Sequence, residues 1–250
     1  MIQVLDRAFA ILNTVSRKPR REHSLSELAG ALGIRDTTCA NIVRSLVDGG
    51  YLVSAGPRRG YRLGPKPFHL TRNAPYRQDL VDAAAPHIQE LVSKVNETCL
   101  LSVLRANSRY VLFHVMRDSE LQIRTEFIKD EDAYEVATGR LMIAYMPDAA
   151  RDRFVASVGL PGARWYGVES RADLDKACAQ IRKLGCCASE PKGDDRLVGI
   201  AFPVGREGDL AALGLYLPME RWKGQHKREI LAAMRETAAG ITRDLEANTQ

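Results

Sequence analysis

SLSELAGALGIRDTTCANIVRSLVDGGYLVSAGPRRGYR, residues 24–62, decides how the rest of this 250-residue chain is read. Ser24-Leu25-Ser26-Glu27 is a capping box. The serine oxygen takes a first-turn backbone amide, and the glutamate reaches back to the serine amide. The helix it starts should run to about Leu32, where Gly33 supplies a left-handed turn that costs glycine little. Asp36 or Thr37 opens a second helix with Ile42, Val43, Leu46 and Val47 on its apolar side, and Gly49-Gly50 stops it. Residues 51–53 and 61–63 then alternate as short strands around a hairpin tipped by Arg58 and Arg59. Helix, tight turn, helix and basic wing is the order of a module that places its second helix in a DNA groove.

Working outward, residues 4–16 carry Leu5, Ala8, Phe9, Ile11, Leu12 and Val15 at helical spacing, so a further helix precedes the motif. The polar side of the second motif helix holds Thr37, Thr38, Asn41, Arg44 and Ser45. Asn41 has the chemistry to take adenine bidentately, and Thr37 and Thr38 suit a phosphate or a thymine methyl. Arg35, Arg44, Arg58 and Arg59 are the candidate phosphate contacts. Charge agrees with this reading. Residues 1–70 hold 11 of the chain's 36 basic residues and only 5 of its 31 acidic ones, leaving 25 and 26 for the rest. The excess positive charge that phosphate binding needs is thus confined to the N-terminal quarter.

Beyond the wing, Pro65 and Pro67 predict an end to regular structure. Residues 78–95 return to helical periodicity, with Pro86 predicting a kink or a break and His87 a packed histidine. Strands are expected at 98–105, 110–117 and 121–128, helices at 137–145, 149–157 and 173–184, and strands again at 186–190, 197–204 and 210–217. A last helix follows at 225–245. The fold class is therefore α+β: an N-terminal winged helix-turn-helix at 1–66, a linker helix at 67–96, and a sheet layered by helices at 97–250.

The stretch ELAGALGIRDTTCANIVRSLVDGGYLVS…GYRLGP resembles the winged helix of the IclR family of bacterial transcriptional regulators. VATGRLMIAYMP and IRKLGCCASE…VGIAFPVGREGDLAALGLYLP resemble two segments of that family's effector domain. The resemblance implies a GAF-like α/β C-terminal domain that binds a small-molecule effector and joins copies into a homodimer or homotetramer on a palindromic double-stranded operator. Asp36 stands where the family commonly has Lys, and Asn41 where it commonly has Arg, so the operator sequence does not transfer from a relative.

The effector positions implied by the resemblance are Ile123, Val136, Ala137, Thr138, Gly139, Ser189, Leu197, Gly199, Gly214 and Tyr216. A helix starting near 137–139 offers free amides and a positive dipole end to an acid, with Thr138 as a cap and Gly139 letting a ligand approach the backbone. Members that bind small carboxylates use an acid, a cysteine and two serines where this chain has Ser189, Gly199, Gly214 and Tyr216. Two glycines making room beside an aromatic wall imply a larger or aromatic organic acid.

Other classes find little support. The histidines His23, His69, His87, His114 and His226 are scattered and no catalytic motif surrounds them, so no catalytic residue, metal site or cofactor is expected. An enzyme acting on a small organic acid, or a ligand-independent DNA-binding protein, are the alternatives. Five cysteines match no zinc spacing and read as small buried residues, with a redox role for Cys186-Cys187 the exception to test. No apolar run reaches membrane-spanning length, and Asp6 and Arg7 interrupt the N-terminal stretch, so no membrane partner and a cytoplasmic location are expected.

Overall fold

A computed structural model describes residues 2–18, 21–56, 59–72, 76–105, 108–116, 131–189, 196–206 and 209–247. The chain divides into two units, Met1–Tyr76 and Arg77–Gln250, each with a core of its own.

The first unit contains α1 (Gln3–Ser16), α2 (Leu25–Leu32), α3 (Asp36–Asp48), β1 (Leu52–Ser54), β2 (Tyr61–Leu63) and α4 (Pro65–Thr71). Ile11 and Val15 from α1, Leu28 and Ala29 from α2, and Cys39, Ile42 and Val43 from α3 bury together with Leu52. These are the positions that recur every three to four residues, so three short amphipathic helices close on one another. Ser24 Oγ accepts from the Glu27 amide at 3.2 Å and Glu27 Oε2 accepts from the Ser24 amide at 3.0 Å, completing the capping box. That amide, helped by Arg21, holds the Glu27 carboxyl below the usual range. Gly33 caps α2 at φ 62°. The wing pairs Leu52 with Leu63 and Ser54 with Tyr61, and reciprocal backbone bonds between His23 and Tyr61 tie it to the entry of α2.

The expectation that Pro65 and Pro67 end structure is overturned by α4, which begins at Pro65. First-turn amides have no partner within a helix, so proline there loses nothing and presets φ.

The second unit runs α5 (Gln78–Val95), β3 (Thr98–Arg105), β4 (Ser108–Val115), β5 (Glu131–Asp132), α6 (Ala137–Ala144), α7 (Asp148–Val158), α8 (Arg171–Leu184), β6 (Cys187–Ser189), β7 (Leu197–Val204), β8 (Ala211–Pro218) and α9 (Gly224–Ala247). One antiparallel sheet of order β5-β4-β3-β8-β7-β6 forms its middle layer. Period-two alternation sorts the side chains. Cys99, Leu101, Val103, Ile200, Leu213 and Leu215 face α5 and α9, whereas Leu104, Cys187, Ala201 and Ala212 face α6 and α8. The strand expected at 121–128 lies outside the described residues.

Pro86 does not break α5. Pro86 and Asp82, whose carbonyl loses its helix donor to the proline, both lie on the exposed side, while Leu80, Ala84, Ile88 and Leu91 pin the other side to the core. A buried carboxylate, Glu97, closes the end of the sheet. It accepts from Arg221 at 2.6 Å and lies 3.0 Å from His226 Nε2. All five cysteines are free thiols. Burial pushes Cys187 up to about 12 and raises Cys186 despite the neighbouring Arg235, which leaves neither as a ready thiolate.

Candidate functional site

In the first unit, α3 presents a polar face. Arg35, Asp36, Thr37, Asn41, Arg44, Ser45 and Asp48 are exposed, and Thr38 is half-buried. Residues 37, 41, 44 and 48 recur at helical spacing, opposite the buried Cys39, Ile42 and Val43. The Asn41 side chain has no hydrogen-bond partner among the described residues, while its carbonyl accepts from Ser45 Oγ at 3.2 Å. Asp36 sits in the first turn, where a negative charge suits the helix dipole, and accepts from Ser26 Oγ at 3.4 Å. It thereby links the two helices of the motif rather than standing free. Arg59 is exposed at the wing turn and Arg62 on β2, so the wing holds a cation absent from the sequence-based set. Its position opposite Val53 in the two-stranded register makes it legible in retrospect. Arg58 lies outside the described residues.

In the second unit, two rows run across the sheet. One joins Ser189, Gly199, Tyr216 and Thr98; the next joins Cys187, Ala201, Gly214 and Leu100. Thr138, in the first turn of α6 beside Val136, Ala137 and Gly139, lies against Gly214 in the second row, while Ser189 and Tyr216 close on Gly199 in the first, and Leu197 is half-buried at the head of β7. Ile123 falls outside the described residues.

The reasons attached to several of these residues change. Thr138 does not cap α6: the cap residue is Val136, and it makes no side-chain bond. Thr138 is instead 1% exposed, and its hydroxyl has no partner among the described residues. Gly139 does not open the backbone to a ligand. A Cβ there would stand 2.2 Å from the Ala133 carbonyl oxygen, so the glycine exists to let α6 touch the segment before it. Nor do the two sheet glycines leave empty room. The space above Gly214 is taken by the Thr138 methyl and Leu100, and that above Gly199 by the Tyr216 ring and Ser189 Oγ. Sequence spacing locates these residues but cannot say which neighbour fills a missing side chain.

Arg140, unremarked in the sequence, fixes this corner. It is buried, donates to the carbonyls of Tyr134 (2.8 Å) and Arg164 (3.1 Å), and stacks 5.0 Å from the Trp165 ring. Burial lowers its pKa. Tyr134 in turn donates to the Gly159 carbonyl, and burial pushes its phenol up to about 12. The first turn of α6 is therefore held from behind, with the Thr138 methyl against Gly214.

Comparisons with known proteins bear on both surfaces. Residues 4–56 match the model described as the IclR helix-turn-helix domain, and residues 73–243 match the model described as bacterial transcriptional regulator IclR C-terminal. The HTH-type transcriptional regulator TtgV of Pseudomonas putida is 27% identical over 222 residues, covering 88% of this chain and 83% of that protein. A crystal structure of an IclR transcriptional regulator from Alicyclobacillus acidocaldarius superposes with a TM-score of 0.78 at 20% identity, covering 98% of this chain and 99% of that one. An IclR homolog from Microbacterium hydrocarbonoxydans, crystallised with 4-hydroxybenzoate, gives 0.75 at 22% identity with the same coverage. Among the described residues, no helix is long and apolar enough to cross a membrane.

Proposed function

The chain belongs to the IclR family of bacterial transcriptional regulators, and from that membership we propose how this member divides its work. Residues 1–66 read DNA, 67–96 link, and 97–250 bind an effector and join copies. The carrying observation is the exposed face of α3, where Thr37, Asn41 and Arg44 stand on one side of a helix whose other side is core. That face enters the major groove, with Asn41 on a base edge and Arg35, Arg44 and the wing arginines Arg58 and Arg59 on phosphates. Arg59→Ala is expected to weaken specific and random duplexes alike by a few-fold and to make the salt slope shallower by about one unit. Anisotropy titrations at several salt concentrations measure both; a loss confined to the specific duplex contradicts the phosphate role.

The operator is palindromic and is met by a homodimer or homotetramer working in the cytoplasm. Support comes from Ile2 just before α1, Leu5 and Phe9 on α1, and Phe68 and Leu70 on α4, large apolar side chains that the single chain leaves exposed and a second copy can bury.

The effector is an organic acid with an aromatic body. Free amides at the start of α6 and the Thr138 hydroxyl suit its polar end, and Tyr216 suits the ring. The Microbacterium relative's 4-hydroxybenzoate is of this class. To regulate, the acid must bind two arrangements of the protein unequally, since equal affinity shifts nothing. Thermal-shift assays with 4-hydroxybenzoate, benzoate, pyruvate and glyoxylate test this reading. The aromatic acids should raise the melting temperature by mass action, and a response to the short acids alone rejects the aromatic assignment.

A further inference from the structure

The six-stranded sheet has an uncovered stretch along one edge. Among the described residues, β6 pairs with β7 only at positions 199–201, so residues 202–204 have no strand on their outer side. The C-terminal ends of α6 and α8 reach this edge from one face and α9 from the other, enclosing a groove of about 950 Å³. Its floor is apolar, built from Phe202, Leu210 and Ala238. Its walls carry Arg182 from α8 and Arg235 and Arg243 from α9.

Among the described residues, these three cations have no acidic partner. No carboxylate lies within 4.0 Å of any of them among the described residues, and the acid on the lining, Asp148, is engaged by Arg151 at 2.5 Å. Elsewhere residues 71–250 nearly balance their charges, with 25 basic and 26 acidic residues, so an uncompensated group of this size is local. Two of the three are also held in place. Arg182 Nη1 donates to the Ala144 carbonyl at 2.5 Å, and the Arg235 guanidinium lies 5.4 Å from the centre of the Phe202 ring. Tyr145 completes this end of the groove; burial raises its phenol above the usual range, and the neighbouring Arg182 and Arg235 offset only part of that rise. Arg243 stands eight residues further along α9, about 12 Å by helix rise.

We propose that this groove binds an elongated organic dianion, with a carboxylate or phosphate at Arg182 and Arg235, an apolar body along Phe202 and Leu210, and a second anionic group at Arg243. Guanidinium forks match both kinds of anionic oxygen, and the apolar floor rewards a carbon chain rather than a bare ion. The site is separate from the acid site described above: α6 spans Ala137–Ala144, so its first turn and Tyr145 lie at opposite ends of the helix.

Titration calorimetry on the full-length protein tests the proposal with suberate and hexane-1,6-diyl bisphosphate as dianions, octanoate as a one-ended chain, and inorganic phosphate as an ion without a body. At least one dianion should bind tenfold or more tightly than octanoate and phosphate, and the tighter of the two identifies the preferred end group. Arg235→Gln and Arg243→Gln should each weaken that dianion at least tenfold, whereas Tyr216→Phe, which keeps the ring over Gly199, should leave it unchanged. The proposal is overturned if neither dianion outcompetes the controls, if the arginine variants bind as the parent does, or if Tyr216→Phe abolishes binding. It is also overturned if the arginine variants alter sedimentation while no dianion binds, because the groove is then a contact between copies.

Discussion

Gly139→Ala is expected to lower the melting temperature of the second unit by roughly 6–12 °C, corresponding to about 3 kcal/mol in a body of this size. A methyl group at this position meets the Ala133 carbonyl oxygen at 2.2 Å, with Ala133 Cα and C at 2.6 and 2.7 Å. All three are backbone atoms and cannot rotate away. Either α6 lifts from the sheet or the 133–136 segment moves, and that segment is pinned by the bonds of Tyr134 and Arg140. Gly30→Ala is the matched control: nothing lies within 4 Å of a Cβ there, and alanine favours the interior of α2 by about 0.5–1 kcal/mol. Calorimetry should show the Gly139 variant's transition displaced downward and the Gly30 variant's unmoved or raised. Equal stability of the Gly139 variant and the parent contradicts the close approach on which the geometry of the α6 corner depends.

The second large effect concerns base reading. Asn41→Ala should cost about 1–3 kcal/mol on the preferred duplex, roughly 5- to 150-fold in affinity, and should relax preference at one base position per half-site. Binding to random duplex should change little, because the substitution removes no charge. Asn41 is exposed and contributes nothing to the core of its helix, so its loss leaves the fold intact. Competitive binding against a library with each base varied in turn gives the answer directly. Equal losses on specific and random DNA refute the assignment of Asn41 to a base edge.

These two residues also show what a linear sequence discloses. The capping box of Ser24 and Glu27, the turn at Gly33 and the polar stripe through Thr37, Asn41 and Arg44 depend on neighbours within a few residues, so spacing alone exposes them. The order of the other described strands and helices in the second unit is legible for the same reason, whereas the two-residue β5 is too short to leave a pattern. α4 is misread because proline signals both the end of one element and the first turn of the next. The effector corner is only half legible. Thr138, Gly139, Gly199, Gly214 and Tyr216 are identified by resemblance to a family pattern, but their partners come from across the sheet. The Thr138 methyl over Gly214, the Tyr216 ring over Gly199 and the Ala133 carbonyl under Gly139 are long-range or turn-dependent contacts with no local signature. The arginine-lined groove is further out of reach, since Arg182 and Arg243 are separated by a strand edge and dozens of residues.

The proposed regulation is a coupling in which a DNA-reading face in the first unit answers to an organic acid in the second. The direct measurement is the affinity of the full chain for a duplex selected from a random library by the protein itself, titrated at fixed salt with and without 4-hydroxybenzoate. Such a coupling gives at least 10³-fold preference for the selected duplex over a scrambled one, and a change of about fivefold or more in that affinity when the acid is present. Equal affinity for both duplexes, or an operator affinity indifferent to an acid that demonstrably binds, contradicts it.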